Sequence, residues 1–422
     1  MGLCRCAHRG RGLFKLNQVY GELAALANAQ AAEAAERAAR REHTLAAYQR
    51  HSARLAWWLQ RQGTAETPLQ LAEPTGEIGR TFPPPPPPPR YTLVATDGSQ
   101  IYPDRHGAAL WFVINIGQVF LRYDERSACR LDSVPQLFSD EREVFRGVLG
   151  QRQSVTAEDV EVVRTVRELA ALYDLAAEAR REDPEQPLLA LMDGKLIPWS
   201  WAQANEGFKL DNLVEYTRLL ARFQQLGVPV ASYVSRSGAN QVINLVRLGD
   251  CDQPAVKCQG CPHVEALKAE LEVDSMTFTA AEAEKLPCGR PAGLVDADLM
   301  GQRLTAGARS EAFVEEIKTA QRVHQRALFF YVHTGAGEIG RVELPEWAGE
   351  TDGMVDFVHA AVVDQIAKGQ GYPVALREAH EQAVVRAPDR AAFIELLERE
   401  LVRRGSAVRH SLKQRAKERP GV

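Results

Sequence analysis

The sequence predicts an α/β protein: a mixed sheet flanked by helices, with an N-terminal helical arm and a cysteine-containing insert. Three observations lead there. Beyond residue 90 short apolar runs alternate with helical periodicity; the stretch from Leu13 to Gln62 is alanine-rich and free of proline; and four of the seven cysteines fall between positions 251 and 288.

The arm comes first. Ala, Glu, Arg and Leu dominate from about Leu13 to Gln62, which favours one long helix or two in a hairpin. Its middle, ANAQAAEAAERAAR, offers little bulk for a core, so the arm (residues 1–82) is expected to pack on the main domain or on another subunit. Pro83 to Pro89 predict an extended polyproline spacer over 83–90. The main domain, 91–400, follows as YTLVAT, ALWFVINIGQVFLRY, a helix from about Ala157 to Arg181, the strand LLALM, a helix near Leu213–Gln225 and the strand VPVASYV. LFFYVHT, GRVELPEW and a helical VDFVHAAVVDQIAKG continue the pattern, which is that of a mixed sheet covered by helices. A basic tail, 401–422, closes the chain.

Composition narrows the function classes. An apolar share of 45% and a charged share of 25% are those of an ordinary soluble chain. No apolar run approaches a membrane span, and MGLCRCAHRGRG lacks the apolar core of a secretory signal, so a cytoplasmic protein is expected. The net charge of -4 gives no global attraction to nucleic acid; a polyanion partner must meet a local basic surface.

Two apolar strands end on the same signature, LVAT-Asp97-Gly98-Ser99 and LALM-Asp193-Gly194-Lys195. Sites in α/β sheets collect at strand carboxyl ends, and a glycine after each aspartate permits a tight turn. If the strands are neighbours, two carboxylates converge. Ser99 and Lys195 are then candidates for substrate contact, Ser99 also for capping its turn. On the intervening helix Glu161, Glu168 and Glu178 are candidates for a third acid, with Glu168 preferred because it lies between apolar Val166 and Leu169. Clustered carboxylates repel unless a divalent cation such as Mg or Mn neutralises them, and such a centre suits phosphodiester hydrolysis. Each DG pair alone reads as an ordinary turn. Paired acids also serve glycoside hydrolysis, but an aromatic share of 7% does not suggest sugar platforms.

Cys251, Cys258, Cys261 and Cys288 form the second cluster, inside an insert over 250–292. The two-residue gap between Cys258 and Cys261 lets two thiolates grip one metal. Zinc sites usually show two such pairs and only one is present; an iron–sulfur cluster also takes four cysteines, so both metals stay open, with His263 as a substitute ligand. Cys4 and Cys6 near His8 read as a flexible terminus, and Cys129 as a packed thiol.

The series VATDGSQIYPDRHG, LMDGKLIPW, SYVSRSGANQVI, DADLMGQRLTAGARSEAF, FFYVHTGAGEIGRVELPEW and GYPVALREAHEQAVV resembles the NurA nuclease family from Tyr91 to about Val385. The resemblance implies a ribonuclease H-like sheet. It also implies Mn- or Mg-dependent cleavage of single-stranded DNA and of DNA from 5′ ends, alongside a HerA-type hexameric ATPase and as a homodimer. Asp97 and Asp193 match its metal-binding aspartates, Glu168 its intervening glutamate, His380 its late histidine and Tyr372 its tyrosine. Arg236 stands where the family often has lysine, suited to a scissile phosphate. Arg341 and Glu343 read as a buried ion pair. The competing reading is a non-catalytic adaptor that binds DNA or the translocase.

Overall fold

The computed structural model describes residues 16–102, 110–146, 153–197, 206–318 and 324–405. The arm is two helices, α1 (Leu16–Arg50) and α2 (Leu55–Gly63), followed by the short strands β1 (Glu73–Pro74) and β2 (Thr81–Phe82). The main domain then runs β3 (Tyr91–Ile101), β4 (Phe112–Tyr123), β5 (Ala128–Phe138), α3 (Glu141–Val144), β6 (Phe145–Arg146), β7 (Gln153–Ser154), α4 (Ala157–Glu182), β8 (Leu188–Asp193), α5 (Glu206–Leu226) and β9 (Val230–Val234). Next come α6 (Gln241–Asp250), α7 (Pro262–Leu271), α8 (Ala280–Ala283) and α9 (Asp296–Met300). The chain continues through β10 (Arg309–Ser310), β11 (Phe313–Lys318), β12 (His324–His333), β13 (Ile339–Pro345), α10 (Glu346–Glu350), α11 (Met354–Lys368), α12 (Val374–Ala383) and α13 (Ala387–Arg403). Cys4, Cys6 and most of the basic tail lie outside the described residues.

One 11-stranded sheet organises these elements, in the order β1-β11-β12-β13-β9-β8-β3-β4-β5, with β10 joining β12 to β2. Strands β3, β8 and β9 run parallel, while β3-β4-β5 and β9-β13-β12-β11 are antiparallel. The mixed sheet covered by helices is therefore present as expected. β1 and β2, counted with the arm, instead pair with β11 and β10 and belong to the sheet. The arm packs on the main domain through the later part of α1, where Arg37 pairs with Asp298 at 2.6 Å and His43 contacts Asp250 at 3.2 Å. Nearer its start, α1 exposes Tyr20, Leu23 and Leu26.

Side-chain alternation divides the core into two layers. Tyr91, Leu93 and Ala95 of β3 and Leu189 and Leu191 of β8 face the layer that holds α11 and α12. Val94, Leu188, Ala190 and Met192 face α4 and α5. The same parity continues along β3: Asp97 and Ser99 reach α12, whereas Thr96 and Gln100 reach α4. Sequence periodicity thus determines which helix meets each polar residue.

β5 was not expected. Ten of its residues lie outside the core, only Phe138 is buried, and Pro135 interrupts its donor pattern, so it lacks the apolar run that signals a strand. It survives as an edge strand, paired along its length with β4. Cys129 on β5 is exposed and not packed.

Candidate active site

Asp97 does not end its strand. β3 continues through Asp97, Gly98 and Ser99 to Ile101, each residue paired with β4, because the antiparallel partner extends the ladder past the point where β8 leaves. What ends at Thr96↔Met192 is the parallel ladder. Asp97 therefore sits beside the carboxyl end of β8, where Asp193 is the last strand residue. No turn forms at Gly98, but Gly194 does adopt the left-handed conformation, with φ 81°.

Gly98 is needed for a different reason. A Cβ there would lie 2.3 Å from Glu168 Oε1 and 2.9 Å from Arg164 Cγ, so its absence lets α4 lower Glu168 onto the strand. Gly117, paired with Asp97 on β4, does the same on the opposite face: a Cβ would meet the Ala379 carbonyl at 2.1 Å and the Ala383 nitrogen at 2.5 Å. α12 can then approach closely. Ser99 donates to the Ala383 carbonyl, and Asn115 Nδ2 donates to the same carbonyl at 2.8 Å. The Ser99 hydroxyl is thus engaged in docking α12 and forms no turn cap.

That docking brings His380 Nδ1 to 2.8 Å from Asp97 Oδ2, while Asp97 Oδ1 accepts the Gly98 N–H. Tyr372, just before α12, donates its hydroxyl to Asp193 Oδ1 at 3.0 Å and packs edge-on against Tyr233. One helix and its approach therefore supply a partner to each aspartate. The Tyr372 hydroxyl is held protonated by burial and by the Asp193 charge. Burial also raises Asp193, ahead of the lowering by Tyr372 and the Gly194 N–H.

Of the three candidate glutamates on α4, Glu168 is the one that approaches β3, close enough to feel the charge of Asp97 and Asp193. Its side chain is 15% exposed, against 43% for Glu178, which pairs with Arg130 at the surface. Glu161 is exposed and accepts from Tyr102. Burial, partly offset by Arg164 and reinforced by both aspartates, pushes Glu168 up to about 8. Arg164 Nε lies 3.1 Å from Glu168 Oε1, but the angle makes no hydrogen bond and leaves that buried oxygen without one. Sequence reading missed Arg164 as a functional neighbour; the signal was its four-residue offset from Glu168.

A buried, unsatisfied oxygen among carboxylates suits a hard cation in its donor chemistry. In this structure the three acids are each turned to their own partners, and among the described residues no group of three or more His, Cys, Asp or Glu side chains is spaced to hold a metal. No hydrogen bond or ion pair joins Arg236 to the acids among the described residues. Arg236 follows β9 with φ 47° and lines a hollow of about 570 Å³ with Arg37, Arg41, Asp298 and Glu338. Lys195 lies in the loop after Asp193.

A large mixed sheet flanked by helices, with two aspartates on neighbouring strands bonded to a histidine and a tyrosine, defines an α/β protein with an acidic cluster beside its parallel strands. The NurA domain model matches residues 91–385. The chain belongs to the NurA family, a family of nucleases. A crystal structure of NurA is similar at 12% identity and a TM-score of 0.36, covering 76% of this chain and 90% of that one. T. thermophilus RuvC in complex with a Holliday junction substrate matches at 12% identity and a TM-score of 0.15, over 48% and 91% of the two chains. Neither score is high enough to add to the argument. Comparison with curated proteins gives no match.

Proposed function

We propose that the protein is a Mn- or Mg-dependent deoxyribonuclease, cutting single strands internally and degrading DNA from 5′ ends beside a HerA-type hexameric ATPase. The observation that supports the reading is that Asp97 and Asp193 lie on neighbouring parallel strands, bonded to His380 and Tyr372, with Glu168 of α4 close enough to feel the charge of both. A ribonuclease H-like fold is part of the proposal, supported by the run β5-β4-β3-β8-β9, three antiparallel strands followed by two parallel ones.

Asp97, Glu168 and Asp193 would hold the cation, which when bound supplies Lewis acidity to the phosphodiester and to the attacking water. The remaining roles belong to side chains of this protein. Tyr372 fixes Oδ1 of Asp193. His380 faces Asp97 through Nδ1, and its largely exposed ring can present Nε2 to a phosphate oxygen or leaving group as a proton donor. Arg164 offsets part of the charge on Glu168.

Arg236 and Lys195 would contact the DNA backbone. Support for Arg236 comes from its exposed position, the absence of any ion pair among the described residues, and the neighbouring Arg37 and Arg41. This local cluster is how a chain of net charge -4 would meet a polyanion. A homodimer is supported by the apolar side chains that α1 exposes.

The test is digestion of 5′- and 3′-labelled single-stranded DNA in manganese, with and without the cognate ATPase, by wild type, Asp97→Ala and Asp193→Ala. The expected result is wild-type products from the 5′ end and internal cuts, and loss of both in the variants. No digestion by wild type in either setting would favour the adaptor.

A further inference from the structure

The insert that interrupts the sheet between β9 and β10 takes no part in the acidic centre, and its own apolar core is small. Its cluster is Val264, Leu267 and Leu286, with Cys261, Leu271, Phe278 and Cys288 packed partly against them, while the buried Val256, Ala283 and Ala292 lie outside it. So small a cluster is far less than a segment of about 40 residues needs for independent stability, and small units usually add a disulfide or a structural metal. All four clustered cysteines are free and only partly buried.

Each cysteine sits at an anchored point of the chain. Cys251 caps the end of α6, and its carbonyl accepts from Arg61 of α2. Cys258 follows the bridge between Glu66 and Lys257 and donates its N–H to the Glu66 carbonyl at 2.9 Å. Cys261 closes a tight turn back to the Cys258 carbonyl at 3.3 Å, with Gly260 at φ 77°. It is also the N-cap of α7, with no side-chain hydrogen bond to the helix. The Cys288 carbonyl accepts from Arg247 of α6 at 3.2 Å. These anchors link the four positions: Cys251 and Cys258 pack on one apolar cluster and Cys261 and Cys288 on another, Cys261 is tied to Cys258 by its turn, and Cys288 to the helix that Cys251 ends.

We propose that Cys251, Cys258, Cys261 and Cys288 form a four-thiolate metal centre, zinc or an iron–sulfur cluster, that staples the insert to α2 and α6. His263 is not needed as a ligand, since it pairs with Asp252 at 2.9 Å. Four thiols bind by losing their protons to solvent, so the loaded centre is anionic. Arg61 and Arg247 lie where their charge offsets it, and Cys261 gains from the α7 N-terminus. In this structure the sulfurs have not closed around a common point. Cys258 Sγ instead contacts Thr67 Oγ1 at 3.2 Å, a contact that loading would replace.

The experiment uses the full chain, purified anaerobically and aerobically, with elemental analysis, a visible spectrum and native thiol counting. The expected result is one centre per chain: either zinc released when a mercurial blocks the thiols, or iron and sulfide with charge-transfer absorption that bleaches on reduction. Cys258→Ser/Cys261→Ser should reduce metal content at least tenfold, while Cys129→Ser should retain it. Wild-type protein should expose four more thiols once the metal is stripped, which tests the centre even if the double variant misfolds. Wild type free of zinc and iron after reconstitution, with all four thiols reacting as fast as Cys129 in the folded protein, would overturn the proposal. So would a disulfide between any two of them.

Discussion

At the scale of single residues, the site depends on two missing side chains as much as on the acids. Gly98 and Gly117 face opposite sides of the sheet, and each admits a helix that carries a functional group. The contacts differ in kind: a Cβ at Gly98 would meet the ends of flexible side chains, whereas at Gly117 it would meet the backbone of α12. Gly98→Ala is therefore expected to leave the fold intact and displace Glu168, lowering cleavage by roughly 10²-fold. Gly117→Ala should destabilise the protein by about 1–3 kcal/mol as α12 is pushed outward. Parallel cleavage rates and urea unfolding separate the two; a Gly98→Ala enzyme at full rate would contradict the role given to close approach. The two aspartates were legible in the sequence because carboxylates after apolar strands are unusual. Glu168 was legible only as the most inward of three. Gly117 and Asn115 were not, since their role depends on a helix more than 260 residues away in sequence, with Asn115 and Ala383 separated by 268 positions.

Among the elements, helices and buried strands followed the apolar pattern closely. α4 was expected from Ala157 to Arg181 and spans Ala157–Glu182. β3 was expected to stop at Asp97 because Asp-Gly is a turn signal, but pairing with β4 overrides that local preference. β5 was missed because its exposure removes the apolar alternation. α11 contains a titratable group that periodicity would place in the core without assigning its state: His359 is buried, and its Nε2–H donates to the Gly307 carbonyl at 2.8 Å. Burial, helped by Arg309 and opposed by that carbonyl and Asp356, pulls its pKa down to about 4. The unfolded chain takes up a proton near pH 6.5 that the native state refuses until about 4. Stability from this group is therefore complete above pH 6.5 and is lost as the pH falls toward 4. His359→Gln keeps a donor for Gly307 and removes the proton, so urea midpoints should lose about one proton's worth of pH dependence in that window. An unchanged slope would show that His359 does not titrate as its burial requires.

For the whole molecule, the sheet joins parts that the sequence separated. A buried network links β13, β11, β12 and α6: Arg341 contacts Glu343 at 2.7 Å, Glu315, Gln241 at 3.0 Å and Tyr331 at 3.2 Å. The sequence indicated only the Arg341–Glu343 pair, because the other partners meet through strand order. Glu343 Oε2 in turn accepts the Leu196 N–H, three residues beyond Asp193, so this network also holds the loop that leaves the acidic centre. Paired in this way, Arg341 fixes register more than it adds stability, since desolvating the charges offsets much of their attraction. No helix among the described residues is long and apolar enough to cross a membrane. The proposed function requires Asp97, Glu168 and Asp193 to act together through a divalent cation. Its most direct test is the initial rate of single-stranded DNA cleavage against manganese concentration, starting from chelated protein, for wild type, Asp97→Asn, Glu168→Gln and Asp193→Asn. Expected are no cleavage in chelator, saturable activation of wild type, and at least a roughly 10²-fold loss in each variant. Cleavage by wild type in chelator at its full rate, or three variants that match it in manganese, would rule out a shared cation at these three acids.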